Sequence, residues 1–156
     1  EPGVSIDGSM PVGWMPAYEK QLIEGRNVDA FVGFTLADAP PPLSQTPRWL
    51  MKLLVLLLLT KPKYRRMLGL LPQNLSEWKE IARLDDSCEN YREISAGVLL
   101  MYGGKSKSRA VDLTAQRLPK AVPDCQTKEF PKLDHFGIET TAPREVAAAV
   151  ATYFLE

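Results

Sequence analysis

A chain of 156 residues is long enough for one domain with a core of its own, and 45% apolar with 24% charged residues is ordinary for a globular protein. Nineteen lysines and arginines balance nineteen aspartates and glutamates, so net charge gives no reason to propose nucleic acid or an anionic membrane as partner. The two cysteines, Cys88 and Cys125, have neither metal-ligand spacing nor the density of a disulfide framework; they point to a reducing compartment, hence the cytoplasm, with one disulfide still allowed.

The chain opens on Glu1-Pro2-Gly3, which reads as the end of a strand and a loop, with no basic-then-apolar leader before it. The beginning therefore reads as cut, and the chain is expected to be part of a longer protein. Prolines and glycines at Pro2, Gly3, Gly8, Pro11, Gly13 and Pro16 predict a loop over residues 1–16. Amphipathic patterns predict helices over 17–26 and 28–39, punctuated by Gly25 and Asn27 and stopped by Pro40, Pro41 and Pro42. Trp49 to Thr60 is the most apolar stretch. Broken by Lys52 and only about a dozen residues long, it falls short of the roughly 20 residues a bilayer requires. It is expected to be a buried helix, or one lining an apolar cavity. Helices over 61–70 and 73–83 complete a strand-free block, the second with Leu75, Trp78 and Ile81 on one side.

After Tyr91 the pattern changes. Residues 97–102 are short and apolar on both faces and lead into Gly103-Gly104, as a buried parallel strand feeding a tight turn does. A helix over 106–118 is expected to turn Ala110, Val111, Leu113 and Leu118 inward, and a second strand covers 124–130. The last helix, Pro143 to Leu155, carries Val146, Ala149, Val150, Tyr153 and Phe154 as one stripe, with Pro143 suited to its first turn. The layout is a helical block followed by β-α-β-α, an α/β arrangement.

Two motifs bear on chemistry. Gly104-Lys105-Ser106 after a strand has the end of a phosphate-binding loop, but the early glycine of that motif is replaced by Leu99 in mid-strand. Without it the backbone amides cannot curl around a phosphate, and a plain strand-to-helix turn is the better reading. His135 is the single histidine. It follows the second strand, and in open α/β sheets the working groups lie beyond the carboxyl ends of the strands.

Leu99-Leu100-Met101-Tyr102-Gly103-Gly104-Lys105-Ser106, then Leu118-Pro119, then Leu133-Asp134-His135-Phe136-Gly137, then a helix ending Tyr153-Phe154, together resemble the C-terminal half of an α/β-hydrolase. Glu1-Pro2-Gly3-Val4 is similar to the end of that fold's sixth strand. The resemblance implies an end of core strand with its loop over 1–9, a helical cap over 10–95 and the last part of the core over 96–156. It places His135 as the catalytic general base. The family's acid often stands in a G-x-x-D turn, where this chain has Ser106; in some members it is a glutamate after the sixth strand, a position Glu1 matches. Glu1 is therefore the expected orienting acid. The family's G-x-S-x-G elbow is missing, so the resemblance implies a nucleophile upstream of Glu1 and an inactive isolated chain.

The resemblance further implies that the cap covers the site. Met10, Trp14, Met15, Phe31, Phe34, Trp49 and Met51 are large and pliable and suit an apolar pocket for a small or medium hydrophobic ester. No metal or organic cofactor is implied. The expected partners are a hydrophobic substrate and the missing N-terminal half of the fold, with no nucleic acid and a membrane disfavoured. The alternative is a catalytically dead module that binds or complements a partner; a third reading, ranked below both, is an interfacial protein that uses Trp49 to Thr60 to sit on lipid. A part-sheet would leave an unpaired apolar edge, so the isolated chain is expected to be poorly stable or self-associating.

Overall fold

The structure is a computed structural model that describes residues 4–39, 41–106, 108–135 and 137–155. The chain divides into two compact units: a helical one over Pro11–Arg83 and a second formed by residues 1–10 together with 84–156. The helical unit is thus an insertion in the sequence of the other.

Among the described residues five α-helices build the inserted unit: α1 (Met15–Ile23), α2 (Asn27–Asp38), α3 (Arg48–Leu58), α4 (Pro62–Gly69) and α5 (Leu71–Arg83). Prolines stand in the first turns of α1 and α4, where an N–H has no helical partner to lose. α1 stops three residues before the expected end. Gly25 takes a left-handed conformation (φ +71°) while its N–H bonds Leu22 O (3.0 Å) and the Arg26 N–H bonds Gln21 O (2.8 Å). That pair of bonds closes the helix with a glycine just past its end. The core between α1, α2 and α5 buries Trp14, Tyr18, Ala30, Leu71 and Leu75, with Phe34 and Trp78 packed against them. A second cluster joins Val32 of α2 to Met51 and Val55 of α3.

α3 departs from the expectation of a buried helix. Only Met51 and Val55 are buried, whereas Trp49 is 70% and Leu57 60% exposed. A helix apolar all round cannot bury every face against one neighbouring layer, and α3 has apolar residues on its outer face as well.

The Tyr18 hydroxyl shares its one proton between Leu71 O (3.3 Å) and Asn74 Oδ1 (3.2 Å), and burial pushes its pKa up to about 12. In the unfolded chain the phenol ionises near pH 10. Its contribution to stability is therefore complete below pH 10 and is lost as pH rises towards 12, at up to about 1.4 kcal/mol per pH unit. Urea titrations between pH 8 and 11.5 should show this alkaline loss in the wild type, and Tyr18→Phe should flatten it. An unchanged slope in Tyr18→Phe would show that another group causes it.

The second unit contains β1 (Val98–Gly103), α6 (Arg109–Ala121), β2 (Cys125–Phe130) and α7 (Pro143–Leu155). β1 and β2 are parallel, in register from Val98↔Cys125 to Gly103↔Phe130, and α6 makes the crossover between them. Ser108 caps α6, its Oγ accepting from the Val111 N–H (3.2 Å). α6 runs through Pro119 to Ala121, past the expected end. Leu118 and Ala121 are both buried there, and that packing offsets the hydrogen bond proline cannot donate. The core joins Ile6, Cys88, Leu100, Leu118, Ala121 and Val122, so residues 84–95 belong here and not with the helical block. The helical unit ends at Arg83, where the sequence suggested residue 95. Both cysteines are free. Along α7, Val146 is buried and Tyr153 half-buried, but Phe154 lies outside the packed stripe at 60% exposure.

The two chain segments that leave and re-enter this unit are tied together. Asp86 N–H donates to Ser5 O (3.1 Å), Asp7 N–H to Asp86 Oδ1 (2.8 Å) and Gly8 N–H to Asp85 Oδ2 (3.0 Å), while the Ser5 hydroxyl bonds Asp85 Oδ1. Arg117 of α6 pairs with Asp7. Among the described residues no helix is long and apolar enough to cross a membrane.

Candidate functional site

β1 ends in Gly103 and Gly104, and neither position has room for a side chain. A Cβ on Gly103 would sit 2.5 Å from Leu133 O and 2.9 Å from Asp134 Cα; one on Gly104 would sit 2.8 Å from Pro131 Cα. The turn after β1 is thereby pressed against the segment after β2. Hydrogen bonds fix the contact: Gly104 N–H to Phe130 O (2.9 Å), Lys105 N–H to Leu133 O (2.9 Å) and Ser106 N–H back to Gly103 O (3.0 Å). The segment then turns again, Gly137 N–H bonding Asp134 O (3.0 Å). His135 stands in that turn, exposed, just past the carboxyl end of the sheet. Leu133 beside it is buried with Phe130 and Val146. The loop that presents the imidazole is thus held at both ends.

A cavity of about 310 Å³ opens beside this turn. All six residues of β1 line it, with Leu118, Phe130, Leu133 and Val146 adding apolar walls. Successive strand residues face opposite sides, so a cavity touching all six runs along a strand edge. Val98 N–H donates to Asp124 O (2.8 Å) and Gly104 N–H to Phe130 O, so the even-numbered residues of β1 bond towards β2. The N–H and C=O of Leu99 and Met101 then point to the opposite edge, where no described strand pairs. Tyr102, Asp134 and His135 bring the polar groups to this otherwise apolar lining.

Ser106, which occupies the place of an acid in the turn after β1, has its Oγ buried with no hydrogen-bond partner among the described residues. A hydroxyl there carries no charge to support an imidazolium. Glu1, the other expected acid, lies outside the described residues. Of the residues expected to form a substrate pocket, Met10 is half-buried in the sheet unit; Trp14, Met15, Phe31 and Phe34 pack the aromatic core of the helical unit; Met51 is buried with Val32 and Val55; and Trp49 is exposed. Burial pushes the thiols of both Cys88 and Cys125 up, which keeps them protonated and weakly nucleophilic near neutrality. Tyr102 was not singled out from the sequence, and the expectation of an open sheet edge did not say which strand would carry it. The signal present was the apolarity of 97–102 on both faces, which marks a strand covered on two sides but not which edge stays open.

Among the described residues no group of three or more His, Cys, Asp or Glu side chains could hold a metal ion. Compared with known proteins, the chain matches no family profile, no curated protein and no solved structure.

Proposed function

We propose that this chain is the C-terminal portion of an α/β-hydrolase that cleaves a small or medium hydrophobic ester. One observation carries the reading: the single histidine stands on a fixed turn beyond the carboxyl end of a parallel strand pair. The edge of β1 at Leu99 and Met101, which no described strand pairs, supports it, because a parallel sheet with apolar strands is normally continued and covered. In the reaction, a hydroxyl nucleophile from the polypeptide upstream attacks the ester carbonyl as His135 takes its proton. The imidazolium returns that proton to the leaving alcohol, and His135 then activates the water that releases the acid. Glu1 orients the imidazole. The hydrophobic part of the substrate lies beyond the carboxyl ends of the strands, beside His135. A second reading, a binding module without catalysis, is favoured by Ser106 in the place of an acid.

The test joins the chain to the polypeptide encoded upstream of Glu1 and follows hydrolysis of p-nitrophenyl esters of increasing acyl length. Hydrolysis with a preference for apolar acyl groups is expected, and His135→Ala should lower kcat by about 100-fold or more. No reading frame upstream, or activity unchanged by His135→Ala, would reject the catalytic assignment and leave the binding module.

A further inference from the structure

From Ala39 to Ser76 the chain contains six basic residues (Arg48, Lys52, Lys61, Lys63, Arg65 and Arg66) and no aspartate or glutamate, although the whole chain is neutral. The same stretch contains α3, whose outer face is as apolar as its inner one. At 100° per residue, Trp49, Leu53, Leu56 and Leu57 point away from the buried Met51 and Val55, and all four are exposed, Trp49 and Leu57 the most. Lys52 is paired with Asp29 (2.8 Å). Lys61, Lys63, Arg65 and Arg66 are exposed and make no ion pair among the described residues. Arg65 Nε donates to Leu59 O (2.7 Å) just past the end of α3, which fixes the basic cluster of α4 beside the apolar helix.

We infer that the outer face of α3, with the basic start of α4, docks on an anionic lipid surface. A tryptophan and leucines on one face beside exposed lysines and arginines are what an interfacial helix presents: the rings and methyls enter the acyl boundary while the cations remain among the headgroups. An isolated apolar face of this size on a water-exposed helix costs solubility unless something covers it. Charge selects the occupant. A second copy docked through the same face would set one basic cluster against another with no acid in the stretch to answer it. Phosphatidylserine or phosphatidylglycerol headgroups supply the missing counter-charge. No described helix is long enough to span a bilayer, so α3 lies on the surface. This docking raises the lowest-ranked sequence reading of Trp49 to Thr60, and it is independent of the hydrolase reading.

The test is sedimentation of the full chain with vesicles of phosphatidylcholine, alone or mixed with phosphatidylserine, with circular dichroism confirming that each variant is folded. The chain should bind the mixed vesicles at least about tenfold more strongly than the neutral ones, and lose that difference in about 0.5 M salt, where screening confines charge interactions to a few ångströms. Lys61→Gln with Lys63→Gln should lower the partition coefficient about tenfold or more. Leu53→Gln with Leu57→Gln should abolish binding, and Trp49→Phe should remove the blue shift of the tryptophan emission seen on binding. Three results would each overturn the inference: no binding to either vesicle, binding indifferent to phosphatidylserine and salt, or a lipid-free dimer that Leu57→Gln dissociates. The wild-type comparison of lipids and salts decides the question even if a variant misfolds.

Discussion

Gly103→Ala should destabilise the sheet unit by about 3 kcal/mol or more, at the upper end of what overpacking does. The added methyl would meet Leu133 O at 2.5 Å and Asp134 Cα and C at 2.9 Å, all of them backbone atoms that no rotamer change can move aside. Relief requires the turn after β1 to separate from the segment after β2. That would stretch the Lys105 N–H to Leu133 O bond and displace the turn that carries His135. Gly104→Ala acts in the same direction through Pro131 Cα at 2.8 Å, although its nearest atom, Glu129 Oε1, is the end of a side chain that can swing away. Gly69→Ala is the control. Nothing lies within 4 Å of its Cβ, and alanine suits the last residue of α4 better, so stability should hold or rise by up to about 1 kcal/mol. Thermal unfolding by circular dichroism, with amide exchange along β1, compares all three. Equal midpoints for Gly103→Ala and wild type would show that the glycine pair is not in contact with the loop.

The periodic features of the chain were legible and the contacts between them were not. Apolar runs, turn residues and 3.6-residue patterns located β1, β2 and the seven described α-helices to within a few residues, because each depends on which neighbours in sequence are apolar. Residues 84–95, read from the sequence with the helical block, group with the sheet unit. Their attachment rests on Cys88 clustering with Ile6 and on Asp85 and Asp86 meeting Ser5, Asp7 and Gly8, contacts across about 80 residues that no local pattern encodes. α3 was misjudged for a related reason. Apolarity predicts that a helix seeks cover, but only the structure shows that one face finds it and the other does not. At the candidate site, His135 and the glycine pair stood out by residue type. The cavity along β1 depends on which edge of the strand β2 takes, and both edges have the same sequence.

Trp14→Ala should unfold the helical unit, with a loss of about 3–5 kcal/mol from the truncated ring alone. Trp14 is the centre of an edge-to-face cluster, its ring 4.7 Å from Phe34, 5.1 Å from Tyr18 and 5.3 Å from Trp78, and such pairs add about 0.5–1.5 kcal/mol each beyond the area they bury. Its indole N–H also donates to Pro11 O (2.7 Å), which pins the segment entering α1. Trp14→Phe keeps most of the apolar contact but drops that bond and part of the ring, so its cost should fall between alanine and wild type. Trp49→Ala, by contrast, truncates an exposed side chain and should change stability by no more than about 0.5 kcal/mol. Urea unfolding followed by far- and near-ultraviolet circular dichroism separates the three. The contrast also tests whether the large residues of this unit line a substrate pocket or hold the unit together. A pocket-lining Trp14 would be replaceable by alanine with the fold kept and only substrate preference altered, whereas a packing Trp14 would lose the aromatic near-ultraviolet signal together with the helices. The ring geometry predicts the second outcome, because Tyr18, Phe34 and Trp78 packed edge-on around Trp14 fill the space a ligand would need.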